Sequence, residues 1–352
     1  MPVPSPRDPG LTRDTLTGWF GDPARLPGAR ITDVRTPEFT GFSSETLMVN
    51  VEHGGGTEAL AVRVAPLRYR VFPETRFAEQ YRLMRVLDAG TDIPVPPVLW
   101  YEPDPAYLGA PFMVMRRVDG RVPPDVPPYH TDGWVTEIDP AERQVMWWSG
   151  LDILARLHRL DVNALRLGFL DQPGWGKPGL DQRLAYYEHY MNWAYPGPKP
   201  TATRALAWLK EHRPGEENAP VFLWGDARIG NMIFAPGGTP LAVLDWETAV
   251  LGQAEEDLAW YLFLDRHHSE GVYVPRLEGF PPPGETIARY AELLGRPMLH
   301  MDYYEVLSGF KFTVIMSRIA QAMIEWEWMD ADSDFPYNNN CSRLLDLILE
   351  GL

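Results

Sequence analysis

The sequence predicts an α+β protein of two lobes, a small antiparallel sheet followed by a larger, mainly helical part. Three observations carry this. Between residues 30 and 118 short apolar runs alternate with turn residues, as half-buried strands require. From residue 141 onward apolar side chains recur at spacings of three and four, the period of an amphipathic helix. Between them lies "DGRVPPDVPPYHTDGWVTEIDPAER", too rich in proline and polar residues to be anything but loop. The expected boundaries are a tail and helix over 1–28, a sheet lobe over 29–118 and a helical lobe over 119–352, with a cleft between the lobes.

Taken in order, residues 1–10 hold four prolines and read as a tail. "TRDTLTGWF" follows as a helix, with Thr12 as its cap. "ITDVRTPEF", "ETLMVNVEH" and "EALAVRVA" read as a meander, the last two joined by "GGGT". Residues 75–89 put Phe77, Tyr81, Met84 and Leu87 on one helical face. "PVLWYE" and "PFMVMRRV" complete the sheet. In the second lobe "AERQVMWWSGLDILARLHRLD" is a long helix with Trp147, Leu151, Leu154 and Leu157 on one side. Two more helices are expected over 180–195 and 201–212. A hairpin built from "VFLW", "MIF", "PGGTP" and "LAVL" interrupts the helices, and the remainder is mainly helical.

Composition narrows the function. A formal charge of −16 opposes a phosphate-backbone surface, and no basic run exceeds Arg116-Arg117, so neither nucleic acid nor an anionic membrane is an expected partner. The single cysteine, Cys341, excludes an intrachain disulfide and suits a reducing cytoplasm. The N-terminus lacks the apolar stretch of a signal peptide, and no window approaches a membrane span.

The most informative stretch is "VFLWGDARIGNMIF" followed by "LAVLDWE". It places Asp226, Asn231 and Asp245 at the ends of apolar runs, where carboxylates are costly unless something pairs with them. An Asp at a strand end, an Asn five residues later and a second Asp fourteen beyond that are what a magnesium-nucleotide phosphotransfer site requires. One Asp orients an acceptor hydroxyl and takes its proton, while Asn and the second Asp offer hard oxygens to magnesium.

"WGDARIGN" followed by "LDWE" resembles the catalytic and metal-binding loops of the aminoglycoside phosphotransferase-like family, small-molecule relatives of protein kinases. The resemblance runs from about residue 30 to about residue 330. It is similar in particular to a bacterial branch related to the kinase-like domain fused to some acyl-CoA dehydrogenases. It implies a bilobal protein-kinase-like fold with an antiparallel-sheet N-lobe and a mainly helical C-lobe. It further implies Asp226 as catalytic base, Arg228 as a cation facing the transferred phosphate, Asn231 and Asp245 as magnesium ligands, and ATP or GTP as donor. Glu247 would bond around the metal loop or touch substrate. Where family members usually carry His before the Gly-Asp pair, this chain has Trp224, which could replace it by packing.

In the N-lobe the resemblance makes "TGFSSET" the nucleotide-covering loop, with Gly41, Phe42, Ser43 and Ser44. No Lys precedes Lys177, so Arg63 stands where such folds place the phosphate-binding Lys, paired with Glu79 or, failing that, Glu74. Adenine would bond the backbone from Met115 to Arg117, with Val62 and Met113 as walls or as core.

On the acceptor side the sequence leaves the substrate open among antibiotics, hydroxy acids or their thioesters, amino alcohols and sugars. The acidic run from Glu325 and Glu327 through Asp330, Asp332 and Asp334 could recognise a cation, but reads first as a solvated helix end. Tyr129, His130, Trp134, Tyr186, Tyr187, Tyr190 and Trp193 could line a pocket or fill the core. His158 reads as a packing residue, and His267-His268 lacks a third zinc ligand. The leading expectation is a small-molecule O-phosphotransferase; the alternative is a catalytically silent nucleotide- or ligand-binding module. Oligomeric state is not legible.

Overall fold

The computed structural model describes residues 7–37, 43–67 and 69–352 and divides the chain into two compact units. Residues up to Thr91 together with Val95–Asp119 form the first; Asp92–Pro94 and Gly120–Leu352 form the second.

The first unit is built on five antiparallel strands, β1 (Arg30–Arg35), β2 (Glu45–His53), β3 (Gly56–Val64), β4 (Val98–Glu102) and β5 (Phe112–Arg116), in the order β1-β2-β3-β5-β4. Period-two alternation buries Leu47, Val49 and Val51 of β2 on one face. Helix α1 (Pro9–Phe20) is capped by Asp8, whose side chain accepts from the Leu11 N–H, rather than by Thr12. Thr12 already lies inside the helix, its hydroxyl bonded back to Asp8. Trp19 anchors α1 to the sheet, donating to Glu102 at 2.7 Å and meeting the Phe112 ring edge-on. Helix α2 (Phe77–Gly90) buries Phe77, Leu83, Met84 and Leu87, while Tyr81 stacks on Tyr101 of β4.

The second unit is mainly helical: α3 (Trp134–Glu137), α4 (Pro140–His158), α5 (Leu180–Ala194), α6 (Pro200–Glu211), α7 (Ala254–His268), α8 (Pro283–Leu294), α9 (Met301–Glu325) and α10 (Asn340–Glu350). Helix α9 packs on α5, α6, α7 and α10 and forms the spine of the core. Four short strands interrupt the helices. Strand β6 (Val221–Leu223) pairs with β9 (Val250–Gly252), and β7 (Met232–Phe234) pairs with β8 (Pro240–Val243). Strand β9 is an addition to the sequence reading.

No helix among the described residues is long and apolar enough to cross a membrane.

Candidate active site

The strand pairings dictate the site. The loop 224–231 leaves β6 and enters β7; the loop 244–249 leaves β8 and enters β9. Because Leu223 pairs with Val250 and Met232 with Val243, the two loops are fastened together at both ends. The Leu244 N–H extends that ladder to the Asn231 carbonyl at 2.8 Å, which brings Asp245 next to Asn231.

Gly225 makes the first loop possible. Its φ of +89° is one that glycine adopts freely, and a Cβ there would lie 2.3 Å from the Thr248 carbonyl. Asp245 also has a left-handed backbone, φ 57°, which Asp tolerates better than most residues.

Three side chains converge on the Asp226 carboxylate. Trp260 donates its indole N–H to Oδ1 at 2.8 Å, Asn231 donates Nδ2 to Oδ2 at 2.7 Å, and the Arg228 Nε lies 3.4 Å away. Asn231 uses its nitrogen for both bonds to Asp226, so its Oδ1 is the atom left to act as an acceptor or ligand. That amide oxygen and the carboxylate of Asp245, whose backbone adjoins Asn231, are hard-oxygen donors of the kind that magnesium takes.

Arg228 is held mainly by Asp125, 2.5 Å from Nη1. Burial works against its charge, but Asp125 and Asp226 more than offset it and strengthen its hold on the proton. For Asp125, burial favours the neutral acid, yet Arg228 and His268 keep it below the usual carboxylate range. Burial drives His267 down to about 3 and His268 to about 4, so both are neutral near pH 7.

Beneath the loop lies Asp257, fully buried, with one oxygen accepting from the Trp224 N–H at 2.7 Å and the other from the Gly225 N–H at 2.9 Å. His158 contacts the same carboxylate and is linked through its other nitrogen to the Tyr290 hydroxyl. Trp224 is buried too; its ring packs on Trp246 and its indole N–H donates to the Leu244 and Asp245 carbonyls. The aromatic at the expected His position therefore holds the second loop as well as filling space.

The first unit presents the expected nucleotide residues with two differences. Arg63 sits opposite Met113 and Thr46 in the sheet and donates Nε to Ser44 Oγ at 2.7 Å. Among the described residues Glu79 forms no ion pair, so the expected bond to Arg63 is not made; Glu79 acts instead on Tyr101, reinforcing the effect of burial in raising its phenol. The backbone N–H of Arg117 is taken by the Ala59 carbonyl and that of Arg116 by Pro97, so neither donor is open to a base. The Arg117 side chain is bound to Asp119 and Asn50. Met115 lies in β5, paired with both Ala61 and Val98. Ser43 lies just before β2; Gly41 and Phe42 fall outside the described residues.

Several acceptor candidates turn out to be core. Tyr129 and His130 are buried on Asp265, and Tyr187 and Tyr190 are fully enclosed. The acidic run lines an open pocket of about 400 Å³ with Glu327, Trp328, Asp330 and Asp332. Among the described residues no group of three or more His, Cys, Asp or Glu is arranged to hold a metal ion. Sequence reasoning missed Asp125, Asp257 and Trp260. The one signal for Asp257 was its place in "EEDLAWYL", where three carboxylates open a segment that is otherwise apolar.

These features define a kinase-like α+β fold, and solved structures share it. A Ralstonia eutropha protein provisionally assigned as an aminoglycoside phosphotransferase superposes with a TM-score of 0.68 at 23% identity, covering 96% of this chain and 95% of that one. A thermostable aminoglycoside phosphotransferase variant, solved with AMP-PNP and hygromycin B, gives 0.59 at 14% identity over 96% and 97%. The chain belongs to the phosphotransferase enzyme family (APH), whose sequence profile matches residues 38–293.

Curated relatives are named for another activity. An Arabidopsis thaliana protein provisionally named as the acyl-CoA dehydrogenase IBR3 is 25% identical over 295 residues, 79% of this chain and 35% of its own length. Acyl-CoA dehydrogenase family member 11 of Pongo abelii is 28% identical over 239 residues, 65% of this chain and 29% of its own. The chain thus spans about a third of the length of these relatives.

Proposed function

We propose that this phosphotransferase-family member transfers the terminal phosphoryl group of a magnesium nucleotide, ATP or GTP, to a hydroxyl group of a small molecule. The observation that carries the reading is the meeting of Asp226, Asn231 and Asp245 on two loops fastened at both ends. Asp226 serves as the base: it receives the acceptor's O–H and takes its proton as the oxygen attacks phosphorus. Asn231, through Oδ1, and Asp245 hold the metal. Magnesium, when bound, neutralises phosphate charge. Arg228 supplies a fixed cation for the charge that develops on the transferred group. Ser43, Ser44 and Arg63 are assigned to the phosphates of the nucleotide, with Gly41 and Phe42 in the same loop. The segment around Met115 and Arg117 is assigned to the base through groups other than the two occupied N–H donors.

A binding module without turnover is the second reading, favoured by the pairing of Arg228 with Asp125 and by the unmade Arg63–Glu79 bond. One experiment separates them. Mg-ATP and Mg-GTP at a hundredfold excess over their dissociation constant should stabilise the chain by about 2.7 kcal/mol, and Asp245→Ala should lose the shift. Nucleoside diphosphate release is then followed across a panel of hydroxyl acceptors. The names of the relatives put hydroxyacyl thioesters on that panel, beside aminoglycosides, amino alcohols and sugars. Asp226→Asn should abolish turnover while keeping the nucleotide-dependent shift. Full turnover in that variant would remove Asp226 from the base role.

A further inference from the structure

We propose that Trp260 is a positioning residue of this reaction, holding the Asp226 carboxylate in the orientation that receives the acceptor hydroxyl. The proposal rests on the phosphotransfer reading above and adds a group that the sequence reading did not include.

An ionised carboxylate offers about four lone-pair sites. Asn231 occupies one on Oδ2 and Trp260 one on Oδ1, at 2.7 and 2.8 Å, and the Arg228 Nε makes a longer bond at 3.4 Å. With both oxygens held, the carboxylate plane cannot rotate, and positions remain for one incoming O–H. The Asp226 side chain is 26% exposed, so those remaining positions are reachable from solvent. Without the indole, Oδ1 would keep only the long 3.4 Å contact from the Arg228 Nε, and the reacting oxygen would be free to swing. Misplacement of a base on that scale costs rate, because the near-attack geometry is lost.

The indole is itself held from below. It is almost fully buried on α7, with the Lys311 ammonium 4.6 Å from its ring centre and Phe312 edge-on at 5.8 Å. Lys311 is tied to Glu256 at 2.6 Å, and Glu256 to Arg183 at 2.9 Å, all three enclosed. A core Trp needs a partner for its N–H. Here the partner is the carboxylate at the centre of the site, and three buried charges stand behind the ring.

Trp260→Phe keeps the aromatic packing and deletes the donor. Turnover of Mg-ATP, read as ADP release with the best acceptor of the panel or with water, should fall about tenfold or more in kcat. KM for the nucleotide should stay within about twofold, which a general loss of structure would not produce. The nucleotide-dependent thermal shift should persist. The bond is read independently in the Asp226→Ala chain, where the Trp260 indole N–H proton resonance should move upfield from its wild-type position. An unmoved resonance overturns the proposal even if the Phe variant proves too unstable to assay, and so does an unchanged kcat. If Asp226→Asn keeps full turnover, it is the phosphotransfer reading that fails; if Asp226→Asn is inactive and Trp260→Phe fully active, only this proposal does.

Discussion

Gly225 shows how one residue decides whether the site exists. Its backbone conformation is poor for any L side chain, and the space a methyl group would need is filled by the Thr248 carbonyl. Gly225→Ala should therefore destabilise the chain by about 2 kcal/mol or more, read by urea unfolding, and should reduce turnover beyond what lost stability explains. This residue was legible in the sequence, because Gly before Asp at the end of an apolar run is local turn chemistry. Its neighbour Trp224 was legible only in part. That it packs could be expected; that its indole N–H binds carbonyls 20 and 21 residues away could not.

At the scale of elements, the first turn of α7 carries three consecutive carboxylates, each with a separate buried task. Glu255 receives Arg296, Glu256 receives Arg183 and Lys311, and Asp257 receives two loop amides. Negative charge is favoured at a helix N-terminus, which lowers the cost of placing them together. Burial opposes ionisation of Glu256, but its two cations win and hold it below the usual carboxylate range. Glu256→Gln would leave two enclosed cations with no counter-charge, and should cost about 3–5 kcal/mol in equilibrium unfolding. Strands and helices could be read from period and turn residues, since those signals lie within each segment. The tasks of these carboxylates could not. Their partners stand 32 to 99 residues away, at distances set by packing and not by spacing along the chain.

For the whole molecule, pH is the sharpest test of the buried histidines. His267 and His268 are depressed to about 3 and about 4 from 6.5, so the folded chain binds fewer protons than the unfolded one below that value. Their contribution is complete above pH 6.5 and is lost as pH falls toward about 4. The buried carboxylates Asp265 and Glu256, and the exposed Asp125, are shifted toward their charged forms, and their contribution is lost only as pH falls through the ordinary carboxylate range and below. The melting temperature should thus begin to drop between pH 6.5 and 4, and His268→Gln should flatten that part of the curve. The division into a sheet-based and a helical unit was legible because the period of the apolar pattern changes between them. The loop "TGFSSET", expected to cover a nucleotide, stood out in the sequence mainly by its place before Arg63, and its residues 40–42 lie outside the described residues.

Asp257 also limits how the loop above it can change over time. A loop between two short strands is usually among the freer parts of a protein, and sequence drift in such a loop readily alters what it does. Here the backbone of Trp224 and Gly225 is fastened to a carboxylate inside the core, so the loop can shift only if α7 shifts with it. Novelty must then enter elsewhere. Segments without that tether, such as the acidic turn after α9, are freer to change while the loop beneath stays fixed.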